Sequence, residues 1–139
     1  MGYTHYWNGH YHLTQNLVED VKSIIAKAKE DGIVLGDWEG HGEPEVSTRR
    51  ISFNGSAARH EDFETAAFAD DSEGFGFCKT GRNPYDVVVG AVLLRIRHYN
   101  RNFRIESDGD WDNESEWVPV RALYREVFGR EPVKPKGMK

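Results

Sequence analysis

Between residues 14 and 32 the apolar positions Leu17, Val18, Val21, Ile24, Ile25 and Ala28 recur at steps of three and four, the spacing of one helix face. Thr14 stands before the stripe as an N-cap and Asp31-Gly32 follows it as a stop, so the pattern predicts one amphipathic helix. The pattern then shortens. Ile33 to Leu35 reads as a short strand, and Gly36 to Glu45, with three glycines and a proline, reads as a loop. A second strand is expected over Arg49 to Phe53. Asn54-Gly55 is a turn signal, because both residues tolerate positive φ, and it leads through Ser56 to Asp62 into a strand at Phe63 to Phe68.

Asp70 to Gly74 is acidic and small, a solvated turn, before Phe75 to Cys78 returns to the core. Val87 to Leu94 is apolar on all sides, which periodicity alone allows as a buried strand or a buried helix. Its entrance decides for helix. Asn83 suits an N-cap, Pro84 the first helical position and Asp86 the positive end, predicting a helix from Pro84 to about Tyr99. It is expected to pack on a sheet containing Thr4 and Phe53, with Gly90 permitting close approach. Phe103 to Ser107 alternates as a strand and Asp108-Gly109 turns. Trp117, Val120, Tyr124, Val127 and Phe128 are spaced for a last helix, opened at Pro119 and capped by Gly129. This order gives an α+β fold, a single domain over 1–129 with a mainly antiparallel sheet covered by about three helices. Residues 130–139, with two prolines and three lysines, are expected to form a flexible tail.

Composition narrows the function classes. A chain of 139 residues, 38% hydrophobic and 12% aromatic, can bury a genuine core. Its net charge of -5 gives no basic field for nonspecific nucleic-acid binding. The longest apolar stretch, Val87 to Leu94, is too short to span a bilayer, so no membrane partner is expected. The lone cysteine, Cys78, excludes an internal disulfide and fits a cytoplasmic location.

Candidate chemistry begins at Gly2 to Trp7, where Tyr3, Tyr6, Trp7 and His5 crowd one short segment. Aromatic bodies with polar tips suit either a core strand or a pocket wall, and alternation sends neighbours to opposite faces, so His5 or Trp7 can face a ligand. Lys79, Thr80 and Arg82 precede the expected helix start, where free N–H groups and the helix dipole attract anions. They form either a phosphate or carboxylate cradle or a set of charges neutralising Asp70, Asp71 and Asp86. The segment is not a Walker loop, since Cys78 stands where that motif needs glycine. His10 and His12 share a face of an extended segment with His5 nearby, but no carboxylate lies at a diagnostic spacing, and no metal or other cofactor is expected. Asp108, Asp110 and Asp112 mimic a calcium loop that fails at Asn113 and Pro119. Cys78, flanked by phenylalanines, reads as a small buried hydrophobe; His60-Glu61 is an acid/base pair on a loop; Trp38, Glu39 and His41 lie in the glycine-rich loop, either a lid or plain surface.

Taken in order, Gly-Tyr-Thr-His-Tyr-Trp, Phe53-Asn54-Gly55, Glu61 with Phe63, Phe77-Cys78-Lys79-Thr80 with Arg82, Pro84-Tyr85-Asp86 and Ser107-Asp108-Gly109 resemble a family of small uncharacterised bacteriophage and bacterial proteins, actinobacteriophages included. The resemblance covers most of the domain and brings no established activity. It implies that Tyr3, Thr4, His5, Trp7, Asn54, Lys79, Thr80, Arg82, Asp86 and Asp108 belong to one constellation, and a host-cell cytoplasmic location. Polar groups of this kind are poor core fillers, so their convergence implies a pocket for a small anionic, nucleotide-like ligand, sequestered or processed as a host metabolite or signal. The alternative is a module docking on a host protein through the acidic surface Asp108 to Glu116 and exposed aromatics such as Trp111. A small hydrolase ranks third, because no nucleophile and base pair off in the sequence.

Overall fold

The computed structural model describes residues 2–139 and shows an α+β fold of three helices and two antiparallel sheets. The elements are β1 (Thr4–Asn8), α1 (Gln15–Glu30), β2 (Leu35–Gly36), β3 (Glu45–Val46), β4 (Arg50–Gly55), β5 (Ala66–Ala69), β6 (Phe75–Lys79), α2 (Asp86–Tyr99), β7 (Arg104–Ser107) and α3 (Trp117–Phe128). Thr14 caps α1 by accepting from Leu17 N–H, and Gly129 closes α3 in the left-handed conformation that glycine adopts without strain. None of these helices is long and apolar enough to cross a membrane.

One sheet has the order β6-β1-β7. On central β1, His5 lies opposite Cys78 and Ser107, while Tyr6 lies opposite Phe77 and Glu106. Alternation therefore buries His5, Trp7, Cys78 and Ile105 on the inner face and leaves Phe75, Phe77, Arg104 and Glu106 exposed on the outer one. In the second sheet β4 pairs with β2, β3 and β5. Helix α2 is buried from Val88 to Leu94 because α1 and α3 both pack on it, which is why its sequence has no polar face.

Several expectations change. Thr4 and Phe53 lie in different sheets, and the close approach at Gly90 is to α3, where a Cβ would meet the Val120 methyls at 2.8 and 2.9 Å. Asn83 does not cap α2; its amide donates to the Asp62 carbonyl and the helix starts at Asp86. Asn54-Gly55 continues β4 instead of turning, since the Asn54 side chain pairs with Phe63 N–H and C=O as another strand would. Glycine is required next to it because a Cβ would lie 2.0 Å from the Glu61 carbonyl. The expected strand at Phe63 to Phe68 shrinks to Ala66–Ala69, and Phe63, Phe75 and Phe77 point outward. Trp111, expected on the surface, is buried against Trp117. Residues 130–139 are docked: Met138 is buried, Lys139 C=O accepts from Trp111 N–H at 2.7 Å, and Glu131 takes Arg121 and Arg125.

Candidate functional site

Four of the expected residues meet around His5, which is fully buried. His5 Nε2 lies 2.6 Å from Asp86 Oδ1, and Thr80 Oγ1 donates to the same oxygen at 2.6 Å. On the other side of the ring, His5 Nδ1 lies 2.8 Å from Ser107 Oγ. Ser107 Oγ also accepts from Gly109 N–H at 2.9 Å and from the Trp117 indole N–H at 3.0 Å. Tyr3 and Trp117 both make edge-type contacts with the imidazole, their ring centres 5.3 and 5.1 Å from its own. The hydrogen-bond arithmetic fixes the tautomer. With both Ser107 lone pairs taken by N–H donors, its hydroxyl must donate to Nδ1, leaving Nε2–H to donate to the Asp86 carboxylate.

A serine, a histidine and an aspartate in contact invite a hydrolase reading. Nucleophilic attack needs a free lone pair on Ser107 and a space beside it for an acyl group. Both lone pairs are occupied, and the principal clefts of the molecule are lined by other residues. The cluster acts as a buried polar staple joining β1, β7 and the start of α2. One group in it is left over: the Tyr3 hydroxyl is buried without a hydrogen-bond partner among the described residues, pressed against Gly109, where a Cβ would lie 2.0 Å away. Burial first, then the Asp86 and Glu116 charges, raise its pKa well above the ordinary phenol value.

The backbone donors and the guanidinium of the expected anion cradle are spent internally. Gly81 and Arg82 both have positive φ, and Asn83 N–H closes a tight turn on Thr80 C=O. Thr80 and Gly81 N–H both bond Tyr3 C=O, Lys79 N–H bonds the Glu64 carboxylate, and Arg82 N–H reaches Thr80 Oγ1. The helix start already has its anion in Asp86. Arg82 lies 4.3 Å above the Tyr3 ring and pairs with Glu116 at 2.7 Å, a hydrogen bond that holds the Glu116 carboxyl below the usual glutamate range. Lys79 leans toward the Phe63 ring.

The other expected residues are placed separately. Asn54 clamps the chain at Phe63, and Asp108 closes the β1/β7 ladder by accepting from Thr4 N–H. Trp7 is buried on Phe68 and floors a groove of about 560 Å³ between β5 and β6, whose rim carries Phe75 and Phe77. Cys78 is buried, which pushes its thiol up to about 12, so it is no nucleophile. Asp110 and Asp112 face Lys139 and Arg121, not a common centre. Trp38 is exposed beside Thr65, which donates to its carbonyl.

Sequence reasoning missed a cationic cleft. Along the free edge of β7, a cleft of about 320 Å³ is lined by Arg97, Arg101, Arg104 and Lys136, with Glu106 the sole carboxylate. None of these five side chains forms an ion pair among the described residues. Arg104 and Glu106 also border a smaller recess of about 120 Å³ with Tyr6 and Phe75, whose rings stack at 6.1 Å. The signal was Arg-x-x-x-Arg-x-x-Arg from Arg97 to Arg104, but the tail residue Lys136 joins it only through folding.

The chain matches no protein-family model, and no curated protein or solved structure is significantly similar to it.

Proposed function

We propose that this protein binds a small anionic, partly aromatic ligand of the nucleotide class along the β7 edge. The observation that carries this reading is the continuity of an unpaired cationic cleft with a stacked aromatic pair. Arginine forks suit phosphate oxygens, and an aromatic face suits a nucleobase. Arg104 lies between the two halves, and Glu106 offers an acceptor for a sugar hydroxyl. The chemistry is that expected from the sequence; the place is not, because Arg82 is paired with Glu116 and the backbone donors around Lys79 and Thr80 are taken within the fold. If the family resemblance holds, the ligand is a host metabolite or signal met in the host cytoplasm.

Calorimetry with a panel of mono- and triphosphate nucleotides tests this. The Arg101→Ala/Arg104→Ala double variant should bind at least about tenfold more weakly, each charge-assisted hydrogen bond contributing roughly 1.5–3 kcal/mol, while Lys79→Ala should bind as wild type. Absence of saturable binding across the panel, or an unaffected double variant, would defeat the reading.

A second reading, docking on a host protein, is favoured by Phe75 and Phe77, 66% and 54% exposed beside the groove between β5 and β6. Exposed aromatics clustered this way mark interaction surfaces. Its mark would be a protein retained by wild type and lost with Phe77→Ser, a change that leaves the cationic cleft and the Tyr6–Phe75 stack in place.

A further inference from the structure

We propose that His10, His12 and Asp71 form a binding site for one divalent transition-metal ion of the zinc class. After β1 the chain kinks at Gly9, φ +111°, where a side chain would collide with the Asn102 carbonyl. It continues extended through Tyr11, which pairs with Ser72 in an isolated antiparallel bridge. Alternation about Tyr11 puts His10 and His12 on one side, their rings 4.6 Å apart. The same bridge brings the 70–72 turn across from them, so the carboxylate absent from the local sequence arrives from sixty residues downstream.

Asp71 takes a left-handed φ of +57°, a conformation disfavoured for a residue with a Cβ. Its Oδ1 sits 2.6 Å from His10 Nε2 and 3.9 Å from His12 Nδ1. One ligand atom from each of the three residues falls within 4.8 Å of the others. Asp70 stands next to them, 3.8 Å from His12 Nδ1, pinned by accepting from Leu13 N–H.

Two imidazole nitrogens and a carboxylate oxygen are a zinc ligand set, with bonds of roughly 2.0–2.2 Å, and three protein ligands leave a position for water or a further ligand. Imidazole pairs select against calcium and magnesium, which take oxygen. An entering ion replaces the His10–Asp71 hydrogen bond. Nε2 then presents its lone pair, its hydrogen going to solvent from the imidazolium or residing on Nδ1 in the neutral ring. All three side chains are exposed, so the ion enters without opening the fold. Once bound, it would cross-link the exit of β1 to the 70–74 turn, the segment that borders the groove between β5 and β6.

The test is calorimetry of zinc chloride into the full chain, without a histidine tag, in chelator-free buffer. We expect one ion per chain, with affinity at least about tenfold weaker in His10→Ala, His12→Ala and Asp71→Asn, since loss of even supporting contacts around a metal costs 10–100-fold. His98→Ala, an exposed histidine outside the cluster, should bind as wild type. Apo-state melting temperatures should match throughout, because the ligands are exposed. Absence of saturable zinc binding, or wild-type affinity in the His10→Ala/His12→Ala double variant, would overturn the site.

Discussion

On the inner side of β7, Ser107 commits its hydroxyl three ways, to His5, Gly109 and Trp117, whereas on the outer side Arg104 and Glu106 bond no described side chain. The two surfaces share one strand and differ in what their polar groups have left to give. Around His5 the donors and acceptors are matched, the Tyr3 hydroxyl excepted, which makes that cluster a fastening. Along the β7 edge the charges are solvated and unmatched, which makes that surface available to a ligand. Chemical oddity in a sequence thus marks either kind of place, and only the inventory of partners separates them.

The widest gap between the two should appear when His5 is removed. His5→Phe keeps the aromatic packing against Tyr3 and Trp117 but leaves the Asp86 carboxylate to Thr80 alone and the Ser107 hydroxyl proton without an acceptor. We expect a loss on the order of 3 kcal/mol in urea unfolding, as for a buried hydrogen-bonded pair broken on one side. Nucleotide binding, scaled to the folded fraction, should persist. A stable variant that has lost binding would move the ligand site back to His5 and reverse the comparison.

Gly109→Ala probes the same fastening sterically. Its new methyl would occupy the place of the Tyr3 hydroxyl and come within 3.1 Å of Trp117 Cδ1. Both rings are fully buried, so neither has room to withdraw. Overpacking of this kind costs roughly 1–3 kcal/mol. A melting temperature unchanged from wild type would show that the cluster is looser than its contacts imply.

How far the sequence foretold these regions depends on whether the deciding partner was local. Helix α1 was legible because its apolar stripe and the signals at Thr14 and Gly32 are contiguous in the chain, and α3 for the same reason at Gly129. The entrance to α2 was misread because Asp62, from a distant loop, takes the Asn83 amide and removes it from capping. Asn54-Gly55 has the composition of a turn, yet Phe63 returns alongside and converts it into strand. Of the residues expected to form one constellation, Tyr3, His5, Thr80 and Asp86 meet in the interior, while Trp7, Asn54 and Asp108 are placed apart. What the sequence could not show is that Ser107, itself saturated by Gly109 and Trp117, takes the other face of His5 and closes the cluster, since that is a property of distances. The cationic cleft was hidden by its ordinariness: arginines near a helix end usually complement the dipole, and nothing in Lys136 announces that the tail folds back beside them.

The smallest effect, and the most discriminating for its size, belongs to the one unmatched atom of the fastening. Tyr3→Phe removes a hydroxyl that is buried without a hydrogen-bond partner and leaves the ring, its edge contact with His5 and the Arg82 guanidinium above it in place. Deleting a buried tyrosine hydroxyl ordinarily destabilises, because a bond is lost and its partner is left unsatisfied. Here Ser107, the nearest candidate, already donates to His5 and accepts two N–H bonds, so no partner is stranded. The native state meanwhile sheds the desolvation of an unpaired polar group, a cost of roughly 1–3 kcal/mol on mutational scales that the small void left behind offsets only in part. Tyr3→Phe should therefore be neutral or stabilising, read as an unchanged or raised urea midpoint at constant slope. A drop of more than about 1 kcal/mol would mean that the hydroxyl has a partner after all, a bound water or ligand atom held inside the cluster, and the inner face of β7 would then have something left to give.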